Sequence, residues 1–306
     1  MNYFITGATG FIGSALANSL AREGHQVRAL VRSKEKGKLL SQKNITPYYG
    51  TLEDENILRE AVKGVDGIFH LAAFAQPYAR DKKIYTKINA LAVKKLFTIA
   101  LENGVRRIVF TSTAGTFGPS EKELVNENTI RILDFFNEYE STKFIAEKIT
   151  KDLVLKGADI VTVHPTRVYG PGILSKSNAV TLMIKKYIDG LWRIIPGKGD
   201  KIGNYVYIDD VVQGHILAME RGKAGEQYLL GGENVSYTNF FKQIGVVNNK
   251  KFMLIKIPVW ILKAFAAVQM QLALLINKKP LLPPKWVKKY MFNWAVSSQK
   301  AINELG

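Results

Sequence analysis

Cysteine is absent from this chain of 306 residues, and histidine occurs only four times. Without cysteine the protein can form no disulfide, use no thiol nucleophile and offer no thiolate to a metal ion. The four histidines show no metal-ligand spacing with carboxylates, so we predict no metal site. Internal repeats and low-complexity linkers are also lacking. A compact chain with a large core is therefore expected, since 47% of the residues are apolar.

Acidic residues are scarce. There are 26 against 43 basic ones, which gives a formal net charge of +17. Such a field attracts anions, but the lysines fall in short scattered clusters and no recognised DNA-binding module interrupts the sequence. We therefore predict a solvated basic surface and no nucleic-acid partner. A phosphorylated cofactor or an anionic membrane would also suit this charge.

The chain opens with an apolar run that breaks into three glycines with the spacing G-x-x-G-x-x-G. This pattern predicts a buried strand, a tight turn and a helix whose N-terminal N–H groups can hold a pyrophosphate. A Cβ in the turn would obstruct the phosphate, and one at Gly13 would push the helix from the strand. We expect the following residues to bind a dinucleotide: Gly7, Thr9, Gly10, Phe11, Ile12 and Gly13.

Apolar strand patterns alternate with helical patterns through the first half of the chain. The predicted strands cover residues 3–6, 26–31, 46–49, 67–71, 107–111 and 159–164. This alternation predicts an α/β fold, a doubly wound parallel sheet of the Rossmann type with a smaller, interleaved C-terminal substrate lobe. We assign residues 1–170 to the cofactor domain and 171–306 mainly to the lobe. Segments 205–208 and 227–230 are expected to return to the sheet.

Tyr139 and Lys143 form a Y-x-x-x-K pattern in a segment of strong helical character. The spacing puts the phenol and the ammonium on one helix face. A strand pattern ending in hydroxyl residues, 107–113, comes before them, and parallel sheets place ligands at such carboxyl ends. A free tyrosine has a pKa of about 10, so proton exchange near neutrality needs a neighbouring cation.

Together these motifs resemble the extended short-chain dehydrogenase/reductase superfamily, of the epimerase/dehydratase type. The resemblance covers nearly the whole chain. It is carried by residues 6–13, 69–73, Asn89, 111–113, Tyr139 with Lys143, 164–172 and 205–211.

The resemblance implies a role for several side chains. Tyr139 would donate the proton during hydride transfer, and Lys143 would stabilise the phenolate and bind the nicotinamide ribose. Thr113 would orient the substrate carbonyl, with Ser112 as the less favoured neighbour. His70 would pack near the cofactor without acid–base work. Further cofactor contacts are implied for Leu52, Leu71, Ala72, Ala73 and Pro165.

The cofactor preference follows from the end of the second predicted strand. An acidic residue there would accept hydrogen bonds from the adenosine ribose, whereas an arginine can pair with a 2′-phosphate. Arg32 occupies this position, and Lys34, Lys36 and Lys38 follow it. The sequence therefore favours NADP, with NAD as the alternative.

Three functions stay open for this pattern. The closest branch is that of dihydroflavonol reductases and 3β-hydroxysteroid dehydrogenases, which implies reduction of a ketone or aldehyde, or oxidation of the alcohol, on a fairly apolar small molecule. A nucleotide-sugar epimerase is the alternative, although residues 202–204 lack the arginine that such enzymes carry. A nucleotide-sensing protein without turnover is the third. Ala114 and Gly115 replace the acidic residues of the dehydratases, which argues against dehydration.

The lobe contains an apolar segment, 257–276, that Lys263, Gln269 and Gln271 interrupt. It is nearly long enough to cross a bilayer, but these polar residues favour a buried or substrate-covering helix, with peripheral membrane docking as the alternative. Because the predicted first strand opens the given sequence, we expect no signal peptide. We expect a cytoplasmic protein, or one at the inner face of a membrane, that is a monomer or homodimer.

Overall fold

The computed structural model describes residues 1–40, 42–173, 178–250 and 252–306. Its largest element is a seven-stranded sheet whose neighbouring strands all run parallel. With strands numbered in chain order, their order in space is Gln227–Leu230 (β10), Ile160–Pro165 (β6), Arg107–Thr111 (β5), Gly67–His70 (β4), Asn2–Thr6 (β1), Gln26–Val31 (β2) and Ile45–Tyr49 (β3). Each strand predicted for this sheet agrees with the observed strand to within one residue at each end. The bounds could be predicted because strands buried on both faces are continuous apolar runs.

Helices cover both faces of this sheet, which confirms the doubly wound arrangement. Leu16, Ile216 and Ala301 belong to the core on one face, and Leu58 and Leu96 to the core on the other. The helices are Phe11–Arg22 (α1), Lys34–Gly37 (α2), Glu55–Val62 (α3), Lys83–Thr86 (α4), Ala92–Glu102 (α5), Glu138–Val154 (α6), Ala179–Ile188 (α7), Ile208–Arg221 (α8), Tyr237–Val247 (α9), Val259–Leu275 (α10), Pro284–Lys288 (α11) and Gln299–Leu305 (α12).

The remaining strands form two small sheets. Glu233–Ser236 (β11), Ile202–Tyr207 (β9) and Arg167–Tyr169 (β7) make one, and Ile194–Pro196 (β8) pairs with Ile255–Ile257 (β12). β10 returns to the large sheet as expected, but the predicted return of residues 205–208 is wrong. β10 already occupies the free edge of β6, so β9 pairs with β7 and β11 instead.

Segment 257–276 was expected to form a buried or substrate-covering helix, and the burial is wrong, whereas the covering of a substrate stays a prediction. It forms α10, in which only Ala266 and Ala273 are buried. Hydropathy reports composition and does not say whether another element covers a helix. Across the described ranges, the structure contains no helix with the length and apolar character that crossing a membrane requires.

Candidate active site

Apart from Tyr139 and Lys143, the predicted site residues lie at or soon after the carboxyl ends of strands in the large sheet, the edge at which open parallel sheets form a ligand crevice. β1 lies between β2 and β4, so the chain leaves neighbouring strands in opposite directions, which is where open parallel sheets bind ligands. Gly7 follows β1 with a φ of 77°, and a Cβ there would lie 2.7 Å from the backbone nitrogen of Ala72. A Cβ at Gly13 would collide with the Gly7 carbonyl oxygen. Both positions therefore require glycine.

Helix α1 starts at this turn with free backbone donors. Its N-cap is Gly10, which provides no side-chain cap, and its first turn carries no acidic residue. The first N–H groups of a helix have no partner within the helix, and its dipole favours negative charge there. Thr9 and Ile12 are half-buried beside these donors, whereas Phe11 is buried. The turn is thus built to receive an anion.

The loop after β4 is tied to the same turn. Thr6 accepts a hydrogen bond from the Ala72 nitrogen (3.3 Å) through its hydroxyl and one from the Leu71 nitrogen (3.1 Å) through its carbonyl. The Thr6 hydroxyl also lies 2.8 Å from Nδ1 of His70. Burial, and next the charge of Lys143, lower the pKa of His70 well below its usual value. His70 is therefore a neutral packing residue.

An exposed arginine follows the end of β2. Arg32 directly follows the strand, and within the described ranges its guanidinium has neither a hydrogen bond nor an ion pair. Leu52, three residues after the end of β3, is buried in the core. The neighbouring Thr51 uses its hydroxyl to accept a bond from the Glu53 nitrogen.

Tyr139 and Lys143 lie one turn apart at the start of α6, where Asn137 caps the helix by accepting from the Glu140 nitrogen at 2.8 Å. In the described part of the chain, neither the phenol nor the ammonium has a hydrogen-bond partner. Lys143 is 1% exposed, and its Nζ lies 4.2 Å from the ring centroid of Phe110. Burial lowers the pKa of Lys143 to about 7. Burial, followed by two nearby carboxylates, raises the pKa of Tyr139.

One of those carboxylates, Glu147, was missed by sequence reasoning. It is buried one turn beyond Lys143 and opposes the effect of burial on the lysine pKa. Ser112 donates a hydrogen bond to its Oε1, and Nδ1 of His164 lies 3.6 Å from the same atom. The i, i+4 spacing from Lys143 was the available signal.

Thr113 is better placed than Ser112 to meet a substrate, because the Ser112 hydroxyl is committed to Glu147. The Thr113 hydroxyl accepts from the Gly115 nitrogen at 3.2 Å, which leaves its own proton available to donate. Asn89 has a structural role, since it bonds both backbone groups of Phe74 and the Thr142 hydroxyl. Pro165 ends β6 and is buried.

Cations from distant segments pair with the carboxylates on either side of Tyr139. Glu138 contacts Lys82 at 2.9 Å and Lys285 at 3.1 Å. Burial alone would raise the pKa of Glu138, but these lysines help to lower it to about 2. Glu140 likewise contacts Lys289 at 2.5 Å and Arg131 at 3.4 Å. Lys285 and Lys289 thereby attach the C-terminal part of the chain to the helix that carries Tyr139.

Fold and crevice define a nicotinamide-dependent enzyme of the extended short-chain dehydrogenase/reductase type. The profile described as "NAD dependent epimerase/dehydratase family" matches residues 3–231, and the chain belongs to this family.

Similar proteins place the chain near the dihydroflavonol reductase and sterol dehydrogenase branch. Sterol demethylase protein B of Methylococcus capsulatus is 32% identical over 76% of this chain and 70% of its own. Dihydroflavonol 4-reductase of Arabidopsis thaliana is 31% identical over 78% of this chain and 67% of its own. The crystal structure of gox2253 superposes with a TM-score of 0.82 at 30% identity, covering 99% of this chain and 92% of that one.

Proposed function

We propose that the protein is an NADP-dependent reductase that converts a ketone or aldehyde on a fairly apolar small molecule into the alcohol. Residues 1–170 and β10 would form the cofactor domain, and residues 171–306 would supply most of the substrate lobe. The observation that carries this proposal is the pair Tyr139 and Lys143, whose polar atoms have no partner among the described residues.

The residues present fit a phosphorylated dinucleotide. The uncapped start of α1 and the glycine positions that exclude a Cβ leave room and donors for a pyrophosphate. Arg32 supplies an exposed guanidinium for a 2′-phosphate. Such a cofactor, when bound, supplies the hydride that the carbonyl carbon accepts. Leu52, Leu71, Ala72, Ala73 and Pro165 are the further residues we assign to its binding.

The protein's own side chains handle the proton. The Tyr139 hydroxyl donates its proton to the carbonyl oxygen, which becomes the alcohol as the carbon gains hydride. The charge of Lys143 stabilises the phenolate that Tyr139 leaves behind. The free Thr113 proton holds the carbonyl oxygen in line with the phenol.

The names of the relatives support an apolar, ring-containing substrate. One is named for sterols and another for dihydroflavonols.

One observation keeps a nucleotide-sugar epimerase as the second candidate. β9 lacks an arginine, but the guanidinium of Arg167 from β7 occupies the space beside Gly203 and has no carboxylate within 4 Å in the described ranges. A cation is thus present next to the position where the expected arginine is missing. Asn204 of β9 argues against an epimerase. Its side chain is fully committed to contacts with Thr166, Gly232 and Asn234, so it has no group left to bind a diphosphate.

The test follows NADPH absorbance with purified protein and a panel of apolar ketones, aldehydes and sugar nucleotides, with products identified by mass spectrometry. We expect NADPH consumption on a carbonyl compound. Tyr139→Phe should abolish it while cofactor affinity stays within a few-fold, and Tyr228→Phe, whose hydroxyl bonds Glu304 away from the crevice, should keep turnover. Full activity of Tyr139→Phe would contradict the mechanism. Sugar-nucleotide interconversion without NADPH consumption would identify an epimerase.

A further inference from the structure

Helix α10 presents a continuous apolar stripe to solvent. Ile261, Phe265, Val268, Leu272 and Leu275 follow each other at alternating spacings of four and three residues, which puts them on one face. All five are exposed, from 41% for Ile261 to 81% for Leu275. A contiguous exposed stripe of this kind marks an interaction site.

The residues that follow extend the same surface. Ile276 and Leu281 are 61% and 86% exposed, and Trp260 at the start of α10 is 70% exposed. The connection from α10 to α11 is held in shape by Gln269, which bonds the backbone of Leu281 and Leu282. The apolar surface is thus a fixed feature of the fold.

The stretch of sequence that contains α10 carries charge of one sign. Residues 234–303 contain no aspartate, glutamate or arginine. They contain eleven lysines, all but Lys251 within the described ranges: Lys242, Lys250, Lys251, Lys256, Lys263, Lys278, Lys279, Lys285, Lys288, Lys289 and Lys300. Lys256, Lys263, Lys278 and Lys279 flank the stripe and are exposed. Exposed apolar groups flanked by lysines match the interface of an anionic bilayer.

A second copy of the chain fits this face poorly. A two-fold contact would bring the same patch of both copies together, and the lysines of one would meet those of the other. Residues 234–303 offer no carboxylate to pair with them, and like charges facing each other oppose association.

The surface is attached to the candidate active site. Nη2 of Arg80, in the segment between β4 and α4, donates to the backbone oxygen of Asn277 at 2.6 Å. Lys285 and Lys289 reach the carboxylates on either side of Tyr139, at 3.1 Å and 2.5 Å. Helix α11, which packs against α10, is thereby paired with a carboxylate next to Tyr139.

We propose that α10 and residues 276–283 dock the protein on an anionic lipid bilayer, without spanning it, and that the apolar substrate is taken from this membrane. The second part rests on the proposed function. Docking itself does not, because it follows from exposure and charge alone.

The test is cosedimentation of the full chain with vesicles of phosphatidylcholine, alone or mixed equally with phosphatidylglycerol. We expect binding to the anionic vesicles that weakens with salt. The double variant Phe265→Gln, Leu272→Gln should lower partitioning by about 100-fold, since each large apolar side chain contributes roughly tenfold. Leu155→Gln with Ile302→Gln, two exposed apolar residues directly after α6 and on α12, is the matched control and should bind normally.

Two results would overturn the proposal: no binding of the unaltered protein to anionic vesicles, or a dimer in light scattering that the α10 variant abolishes. Turnover separates the two proposals. The α10 variant should reduce a water-soluble carbonyl substrate at the normal rate and lose only stimulation by vesicles loaded with an apolar ketone. Vesicle binding without any NADPH consumption would leave docking intact and contradict the reductase.

Discussion

Lys143 is expected to destabilise the unliganded protein, so Lys143→Met should increase the free energy of unfolding while abolishing turnover. Lys143 is 1% exposed, and its ammonium has no hydrogen bond or ion pair in the described ranges. Burial lowers its pKa from 10.5 to about 7. Methionine has a similar shape and no charge to desolvate.

The size of the effect follows from that pKa. Each tenfold loss of proton affinity corresponds to about 1.4 kcal/mol, so the burial cost is at most about 5 kcal/mol. Contact of Nζ with the Phe110 ring, at 4.2 Å, recovers about 2 kcal/mol of attraction that methionine lacks. We therefore expect Lys143→Met to gain about 2 to 4 kcal/mol near pH 7.

The gain should depend on pH in a defined direction. Between pH 7 and 10.5 the unfolded chain binds the lysine proton and the folded chain does not, so the stability of the unaltered protein rises with pH. The advantage of methionine is largest below pH 7 and disappears towards pH 10.5. Groups that titrate in both proteins cancel in the difference.

Urea unfolding of both proteins from about pH 6 to about pH 10 measures this difference. Lys148→Met is the control, since Lys148 lies on the same helix but is exposed, and we expect a change within about 0.5 kcal/mol at every pH. A Lys143→Met variant that is less stable than the unaltered protein, or a gain that is the same at all pH values, would refute the reasoning.

Two further predictions concern the cofactor and the buried carboxylate. Arg32→Glu should weaken NADPH binding by roughly 10- to 150-fold, because it removes a charge-assisted phosphate contact, and should affect NADH binding far less. Titration calorimetry measures both affinities, and Lys63→Glu controls for the change of charge. Equal losses of affinity for the two cofactors would mean that Arg32 does not meet the phosphate. Glu147→Gln removes the charge that raises the pKa of Lys143, so the fall of reductase turnover as Lys143 loses its proton should move to lower pH. An unmoved pH profile would show that Glu147 does not act through Lys143.

The parallel sheet could be predicted closely because its signals are local. Each strand is an apolar run between turn residues, and the turn after β1 is marked by glycines that the backbone requires. Pairing partners were harder to predict. Residues 205–208 did not join the large sheet because β10 occupies the edge of β6, which no local pattern records.

The candidate site could likewise be predicted only where its signals are local in the sequence. Tyr139 and Lys143 could be found because one helix carries both at a fixed spacing. The ion pairs of Glu138 and Glu140 join residues that lie far apart in sequence, such as Lys289, and only the folded chain brings them together. Apolar composition likewise could not show that α10 lies outside the core. This last failure is informative, because a helix that breaks the rule of burial without a structural reason is where an interaction should be sought.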